Sequence, residues 1–372
     1  MKKWVTTWAM AHTGAAAFAL NMENRTTNTR IICPISGTKI RIALGNRYGT
    51  EDIHLSSAAL WVNGRVMPVT FNGQSGITLQ QGAEIRSDAV DLPVHAGEPV
   101  EVRLYYAQPQ ILSSGNALLR ATHSPEGDYT QAASFVESQQ SVWASEMRPF
   151  PLPEPVTALT ALDVYTAGAE GFAVLGDSNT FNGFFTSALQ SLLAPRNIPV
   201  LNLGISGNRL IRDSGVPSMG ELFGKAAKDR VAWDIFSHCG IGCVLICVGG
   251  NDIFQPGTFA AAEEELPSAD ALWEATKHLA LRCREQGLKV LGSTLIPFAG
   301  ADGYTVQKQS VADAFHDKVR KSNIFDAVID FAALLADPAN PNTYRPEYDS
   351  GDHLHFNALA GACVAEEIAK YL

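Results

Sequence analysis

One serine, two histidines and a few small polar residues carry types and spacings that could share a reaction. Ser178 lies in Gly176-Asp177-Ser178-Asn179, after the short apolar run Phe172-Ala173-Val174-Leu175 and before a segment with helical spacing through Leu189, Leu192 and Leu193. Strand, tight turn and helix follow in that order, which exposes a hydroxyl at a sheet edge beside the N–H groups of a helix's first turn. Alone, the turn is better explained by Asp177, Ser178 and Asn179 as helix caps. The rest of the chain adds Gly207 in Ile205-Ser206-Gly207-Asn208-Arg209, Asn251 in Gly249-Gly250-Asn251-Asp252, and Asp349-Ser350-Gly351-Asp352-His353-Leu354-His355-Phe356-Asn357. Acyl transfer needs a nucleophile, a base oriented by an acid, and donors aimed at a developing oxyanion. Ser178 supplies the hydroxyl, a histidine of the last stretch can take its proton, and a nearby aspartate can hold the other ring nitrogen. The N–H groups of Ser178 and Gly207 and the Asn251 amide can serve as donors, Gly207 having no side chain in the way.

These residues need one scaffold to bring them together, and the pattern from 172 onward provides it. Apolar strand candidates at Phe172–Leu175, Val200–Leu203, Cys243–Val248, Val290–Thr294 and Ala327–Asp330 alternate with helical stretches near 181–194, 220–236, 268–286, 307–322 and 358–371. Strands buried on both faces and linked by helices predict a parallel sheet in a three-layer α/β/α sandwich, with five strands in a flavodoxin-like order. Ligands of such sheets bind outside the carboxyl ends of the strands. Each of the polar stretches comes after a predicted strand or precedes the last helix, so all converge on that edge.

Residues 1–150 read differently. Ile40, Ile42 and Leu44 alternate with Lys39, Arg41 and Ala43, residues 101–106 repeat the pattern, and Asn-Gly and Gly turns recur at short intervals. This predicts an all-β accessory domain, a β-sandwich. Its His12, His54, His95 and His123 are scattered and are read as core or solvated histidines. Pro149, Pro151, Pro153 and Pro155 stiffen the chain at the boundary, so 151–171 is expected to be a linker and lead-in and 172–372 the hydrolytic domain.

Composition narrows the partners. The 372 residues are 46% hydrophobic and 18% charged, with a formal net charge of −10 and no basic run, which argues against nucleic acid and anionic membrane surfaces. No stretch approaches the roughly 20 apolar residues of a membrane span. The start, Met1-Lys2-Lys3 and then a Trp- and Thr-interrupted apolar stretch, superficially resembles a signal peptide. His12 and the threonines interrupt its apolar stretch, and retention with a cytoplasmic location is the expectation. Six cysteines without a CxxC pair predict neither a disulfide scaffold nor a zinc site.

The ordered runs GDS, ISGNR, GGND and DHLHFN resemble the SGNH (GDSL-like) hydrolases, over the stretch from 172 to the C-terminus. The resemblance implies a serine esterase without a cofactor, with Ser178 as nucleophile, His355 as base, Asp352 as its orienting acid, and Ser178, Gly207 and Asn251 around the oxyanion. It also chooses His355 over His353, since DxxH falls on Asp352 and His355. A divalent metal at the His-Leu-His pair is the competing reading, and no other clustered His or Cys completes it. The family usually has Ile or Leu where Asn179 stands and Pro where Phe356 stands, so these two are candidate substrate contacts, together with Arg209. Arg209 and Asp252 are alike candidates for positioning substrate or bracing the loops. The runs ISGNRL, TLIPFAGADGY and YDSGDHLHFN further resemble a subgroup of bacterial carbohydrate esterases. A small-molecule or oligosaccharide ester, most simply an acetylated sugar, is the expected substrate. The alternatives are a lipase, lysophospholipase or thioesterase of the same fold, or a non-catalytic carbohydrate-binding protein on an esterase scaffold.

Overall fold

Alternating side chains build the first half of the chain and continuous apolar runs the second. The computed structural model describes residues 1–14, 19–144, 155–214 and 221–372. The chain divides into two compact units, Met1–Ala169 with Pro217–Leu222, and Glu170–Val216 with Phe223–Leu372.

The principal strands of the first unit are β1 (Lys2–Ala9), β2 (Arg25–Ile32), β3 (Lys39–Gly45), β4 (Ser57–Val62), β5 (Arg65–Val69), β6 (Glu84–Arg86), β7 (Pro99–Tyr106), β8 (Thr122–Glu126) and β9 (Leu159–Ala167). They form two antiparallel sheets, ordered β1-β9-β3-β6 and β8-β2-β7-β4-β5, which make the β-sandwich. Ile40, Ile42 and Leu44 of β3, Val100, Val102 and Leu104 of β7, and Leu162 and Val164 of β9 share one buried core. Each such side chain contributes about 1.5–3 kcal/mol by leaving water. Asn63-Gly64 joins β4 to β5 with both residues at positive φ, the two-residue hairpin turn whose twist suits the strands. The N-terminal stretch with signal-peptide character forms edge strand β1, with Trp4 between the Arg41 guanidinium and Tyr165. The expected lead-in at 151–171 carries strands from Pro155 on, because β9 pairs with both β1 and β3. Its residues 151–154, like Pro149, lie outside the described residues.

The second unit is built on β10 (Gly171–Gly176), β11 (Val200–Gly204), β12 (Ile241–Cys247), β13 (Lys289–Ser293) and β14 (Ala327–Ile329). All run parallel in the order β11-β10-β12-β13-β14, the flavodoxin-like arrangement expected from the sequence. Between and after them come α1 (Ser178–Phe181), α2 (Phe184–Leu193), α3 (Ala227–Val231), α4 (Gly250–Phe254), α5 (Ala269–Glu285), α6 (Val306–Lys321), α7 (Phe331–Leu335) and α8 (Ala358–Ala369). Helix α2 packs on α8, while α5 packs on α3 and α6. Right-handed crossovers put these two sets on opposite faces, because the chain moves one way from β10 to β11 and the other way thereafter. Gly176 pairs in register with Gly204 and with Cys247, so β10, β11 and β12 end level. The loops leaving these three strand ends therefore share one rim. Among the described residues no helix is long and apolar enough to cross a membrane.

Candidate active site

The turn after β10 shows which residue caps the helix that follows. Asp177 is the N-cap of α1, its Oδ1 accepting from the Asn179 N–H at 3.1 Å. Burial pushes the Asp177 carboxyl up to about 6, against the pull of that hydrogen bond and of the Arg230 charge. With the cap supplied by Asp177, the Ser178 hydroxyl faces His355, its Oγ 2.8 Å from Nε2.

The loop before α8 supplies the rest of the relay. His355 Nδ1 lies 2.6 Å from Asp352 Oδ2. The other oxygen, Oδ1, accepts from the N–H groups of Leu354 at 2.9 Å and His355 at 2.8 Å, and from the Ser350 hydroxyl at 3.0 Å. Burial opposes the charge on Asp352, but the hydrogen bonds from the His355 ring and from the two N–H groups outweigh it and hold the carboxyl well below the usual range. The aspartate is thus an anion that fixes the tautomer of His355 as Nδ1–H and leaves Nε2 to accept a proton. His353 pairs instead with Asp349, its Nδ1 2.5 Å from Oδ2. The two histidines of the His-Leu-His stretch therefore turn to different carboxylates. Among the described residues no group of three or more His, Cys, Asp or Glu side chains could hold a metal ion.

Gly207 and Asn251 meet through one loop. Gly207 has φ +73°, and a Cβ on it would sit 2.6 Å from the Phe223 ring, so both the backbone and the space demand glycine. Helix α4 clasps this loop: Gln255 Nε2 donates to the Gly207 carbonyl at 2.7 Å, Asn251 Nδ2 to the Asn208 carbonyl at 3.1 Å. Asp252 accepts from the N–H groups of Leu210 at 2.6 Å and Ile211 at 2.9 Å. Burial raises Asp252 to about 6 in spite of these two donors. Serine, relay and paired donors at one rim can carry acyl transfer through a tetrahedral intermediate.

The model of the GDSL-like Lipase/Acylhydrolase family matches residues 166–361, just over half of the chain. The chain belongs to this family. Solved structures similar to this GDSL-like hydrolase include an acetyl xylan esterase, 20% identical, covering 54% of this chain and 99% of its own at a TM-score of 0.40. A carbohydrate acetylesterase family member from Sinorhizobium meliloti is 15% identical over 54% of this chain and 96% of its own, with a TM-score of 0.40. A GDSL-like lipase from Bacteroides thetaiotaomicron is 15% identical over 54% and 86%, with a TM-score of 0.39. Among curated proteins none matches the chain.

Three residues expected at the substrate have other tasks in this GDSL-like hydrolase. Asn179 is buried and holds the histidine loop, its Oδ1 accepting from the Phe356 N–H at 3.3 Å and its Nδ2 donating to the Leu354 carbonyl at 3.4 Å. Phe356 is fully buried, its ring 6.2 Å from that of Phe185, so it packs α8 against α2 and forms no wall of the site. Arg209 turns away to Glu265, with Nη1 2.8 Å from Oε2, and donates to Ser214 Oγ and the Asp213 carbonyl. Beneath the serine turn lies a cavity of about 20 Å³ lined by Asp177, Asn179, Thr180, Gly250, Leu295 and Phe331, with room for one water- or methyl-sized group. Sequence reasoning missed the braces Gln255 and Arg230. Gln255 stands four residues after Asn251, one helical turn on, and that spacing is the only signal it gives.

Proposed function

We propose that this GDSL-like hydrolase is a serine esterase acting through an acyl-enzyme, with an acetylated sugar or oligosaccharide as substrate. The carrying observation is the unbroken contact Ser178 Oγ to His355 Nε2 at 2.8 Å and His355 Nδ1 to Asp352 Oδ2 at 2.6 Å. In the proposed cycle, His355 takes the Ser178 proton as Oγ bonds to the ester carbonyl carbon, and the N–H groups of Ser178 and Gly207 with the Asn251 amide receive the oxyanion. The carbon–oxygen bond to the alcohol breaks, and His355 returns the proton to the departing oxygen. Water, deprotonated by His355, then attacks the acyl-enzyme, and Ser178 leaves with the proton restored.

Labelling with a fluorophosphonate and hydrolysis of p-nitrophenyl acetate test the reaction class. The wild type should do both and Ser178→Ala neither, with turnover down on the order of a thousandfold or more. A Ser178→Ala protein with wild-type turnover would overturn the assignment. For the sugar, the support is the likeness of ISGNRL, TLIPFAGADGY and YDSGDHLHFN to carbohydrate esterases. A panel of acetylated xylo- and manno-oligosaccharides against p-nitrophenyl esters of rising chain length should favour the acetylated sugars. A preference for long acyl chains would point to a lipase instead.

A further inference from the structure

A fully buried arginine joins the two halves of this site. Arg230, in α3 (Ala227–Val231), and Asp234 have side chains 0% and 1% exposed, with Nη1 2.7 Å from Oδ2. Three further N–H groups of the guanidinium reach three other acceptors. Nη2 donates to the Gly176 carbonyl at 3.0 Å, Nη1 also to the Leu203 carbonyl at 2.9 Å, and Nε to Asn208 Oδ1 at 3.0 Å. Gly176 ends β10 two residues before Ser178. Leu203 lies near the end of β11, and Asn208 follows Gly207. One rigid, planar fork thus spans the strand end that launches the nucleophile and the strand end and loop that launch the oxyanion donor.

Asn208 passes the constraint on, its Nδ2 donating to the carbonyls of Phe223 at 2.8 Å and Lys225 at 2.9 Å. Phe223 is the residue whose ring lies against Gly207. Directly after Arg230 and Val231 the helix widens into a π turn, Ala232–Phe236, and that turn carries Asp234. A buried charge pair of this kind is a poor source of stability compared with apolar packing.

The geometry points to Arg230 as a positioning residue that sets the distance between Ser178 and the Gly207 N–H. This rests on the reading of those two residues proposed above. It touches no substrate and acts through the backbone. Lysine at this position keeps the charge but cannot reach acceptors in three directions from one plane.

The test compares wild type, Arg230→Lys and the milder Asp234→Asn by thermal unfolding, steady-state kinetics on p-nitrophenyl acetate and amide hydrogen exchange. Arg230→Lys is expected to lose about tenfold or more in kcat with KM within about twofold. Exchange should quicken jointly at 176–182 and 203–210 and stay unchanged in α5. Asp234→Asn should show the same pattern to a smaller degree. Unchanged kcat and exchange in a folded Arg230→Lys protein would overturn the proposal, as would exchange that rises evenly over the unit with kcat falling only as the folded fraction falls. If Arg230→Lys fails to fold, Asp234→Asn decides by the same pattern. If the wild type itself neither hydrolyses the ester nor takes the fluorophosphonate, the esterase reading fails separately, and joint exchange at the two segments still decides whether Arg230 couples them.

Discussion

Asn251 is aimed by Asn208: its Nδ2 donates to the Asn208 carbonyl at 3.1 Å, and Asn208 is the neighbour of Gly207. An amide nitrogen carries two hydrogens, so one is spent on this backbone oxygen and the other is held in a fixed direction. A donor that needs no reorientation as charge develops is worth most in the transition state. Asn251→Ala is therefore expected to lower kcat about a hundred- to a thousandfold with KM little changed. Steady-state kinetics on p-nitrophenyl acetate check this, and an unchanged kcat would remove Asn251 from the oxyanion site.

Gly207→Ala should damage both fold and rate, for two separable reasons. The left-handed backbone at φ +73° costs a Cβ-bearing residue about 1–2 kcal/mol, and the new methyl would meet the Phe223 ring at 2.6 Å. Pairing Gly207→Ala with Phe223→Ala should recover the steric part of the lost thermal stability and none of the backbone part. Full recovery in the double variant would show that the conformation at 207 carries no strain.

Arg209 is expected to behave as a brace. Its three partners, Glu265, Ser214 and the Asp213 carbonyl, fasten the loop after Gly207. Arg209→Gln should reduce thermal stability, by about 1–3 kcal/mol for a partly buried pair that loses one member, and leave KM for a small ester within about twofold. A large rise in KM at unchanged stability would return Arg209 to the substrate.

The strands of the parallel sheet were legible because each is a continuous apolar run, and Phe172–Leu175, read as a strand, extends by one residue at each end to Gly171–Gly176. Helices α5 and α6 fall within one residue of their expected limits, their Ser268 and Thr305 caps each accepting from an N–H of the first turn. The stretch read as one helix at 181–194 is divided, with α1 closing at Phe181 and α2 starting at Phe184. The short helices α4 and α7 carry no periodic signal in five residues each. For the candidate site, residue types in chain order nominate Ser178, Gly207, Asn251, Asp352 and His355, and the structure gives their contacts. They could not name Arg230, because two of its acceptors are backbone carbonyls, which every residue has. Asn179 and Phe356 stood out in the sequence for a related reason. A departure from a family pattern draws attention to the position, yet both side chains work beneath the surface, one on backbone groups and one in the core.

Acid sensitivity should be traceable to His12. It is buried, its Nε2 3.1 Å from the Leu159 carbonyl and its Nδ1 3.3 Å from Ser114 Oγ. Burial, reinforced by the Arg47 charge, lowers it to about 3. An unfolded chain binds the proton near pH 6.5 and the folded one only near 3, so between these values the unfolded state holds more protons. Stability from this residue is full above pH 6.5 and declines as pH falls through that window, by at most about 1.4 kcal/mol per unit. His12→Gln should be less stable than wild type at pH 7, and the gap in urea midpoints should narrow by pH 5. A gap that stays constant would clear His12.

The relay of Asp352 and His355 spans only three residues, whereas its contact with Ser178 bridges a separation of 177. The first lies within one loop, where Asp352 Oδ1 gathers the N–H groups of Leu354 and His355. The second requires the turn after β10 and the loop before α8 to come together. The proposed base and its orienting acid thus sit in a single short segment. Recovery of ester hydrolysis during refolding is therefore expected to follow the arrival of that segment at β10, the contact of long sequence separation, rather than the pairing of Asp352 with His355.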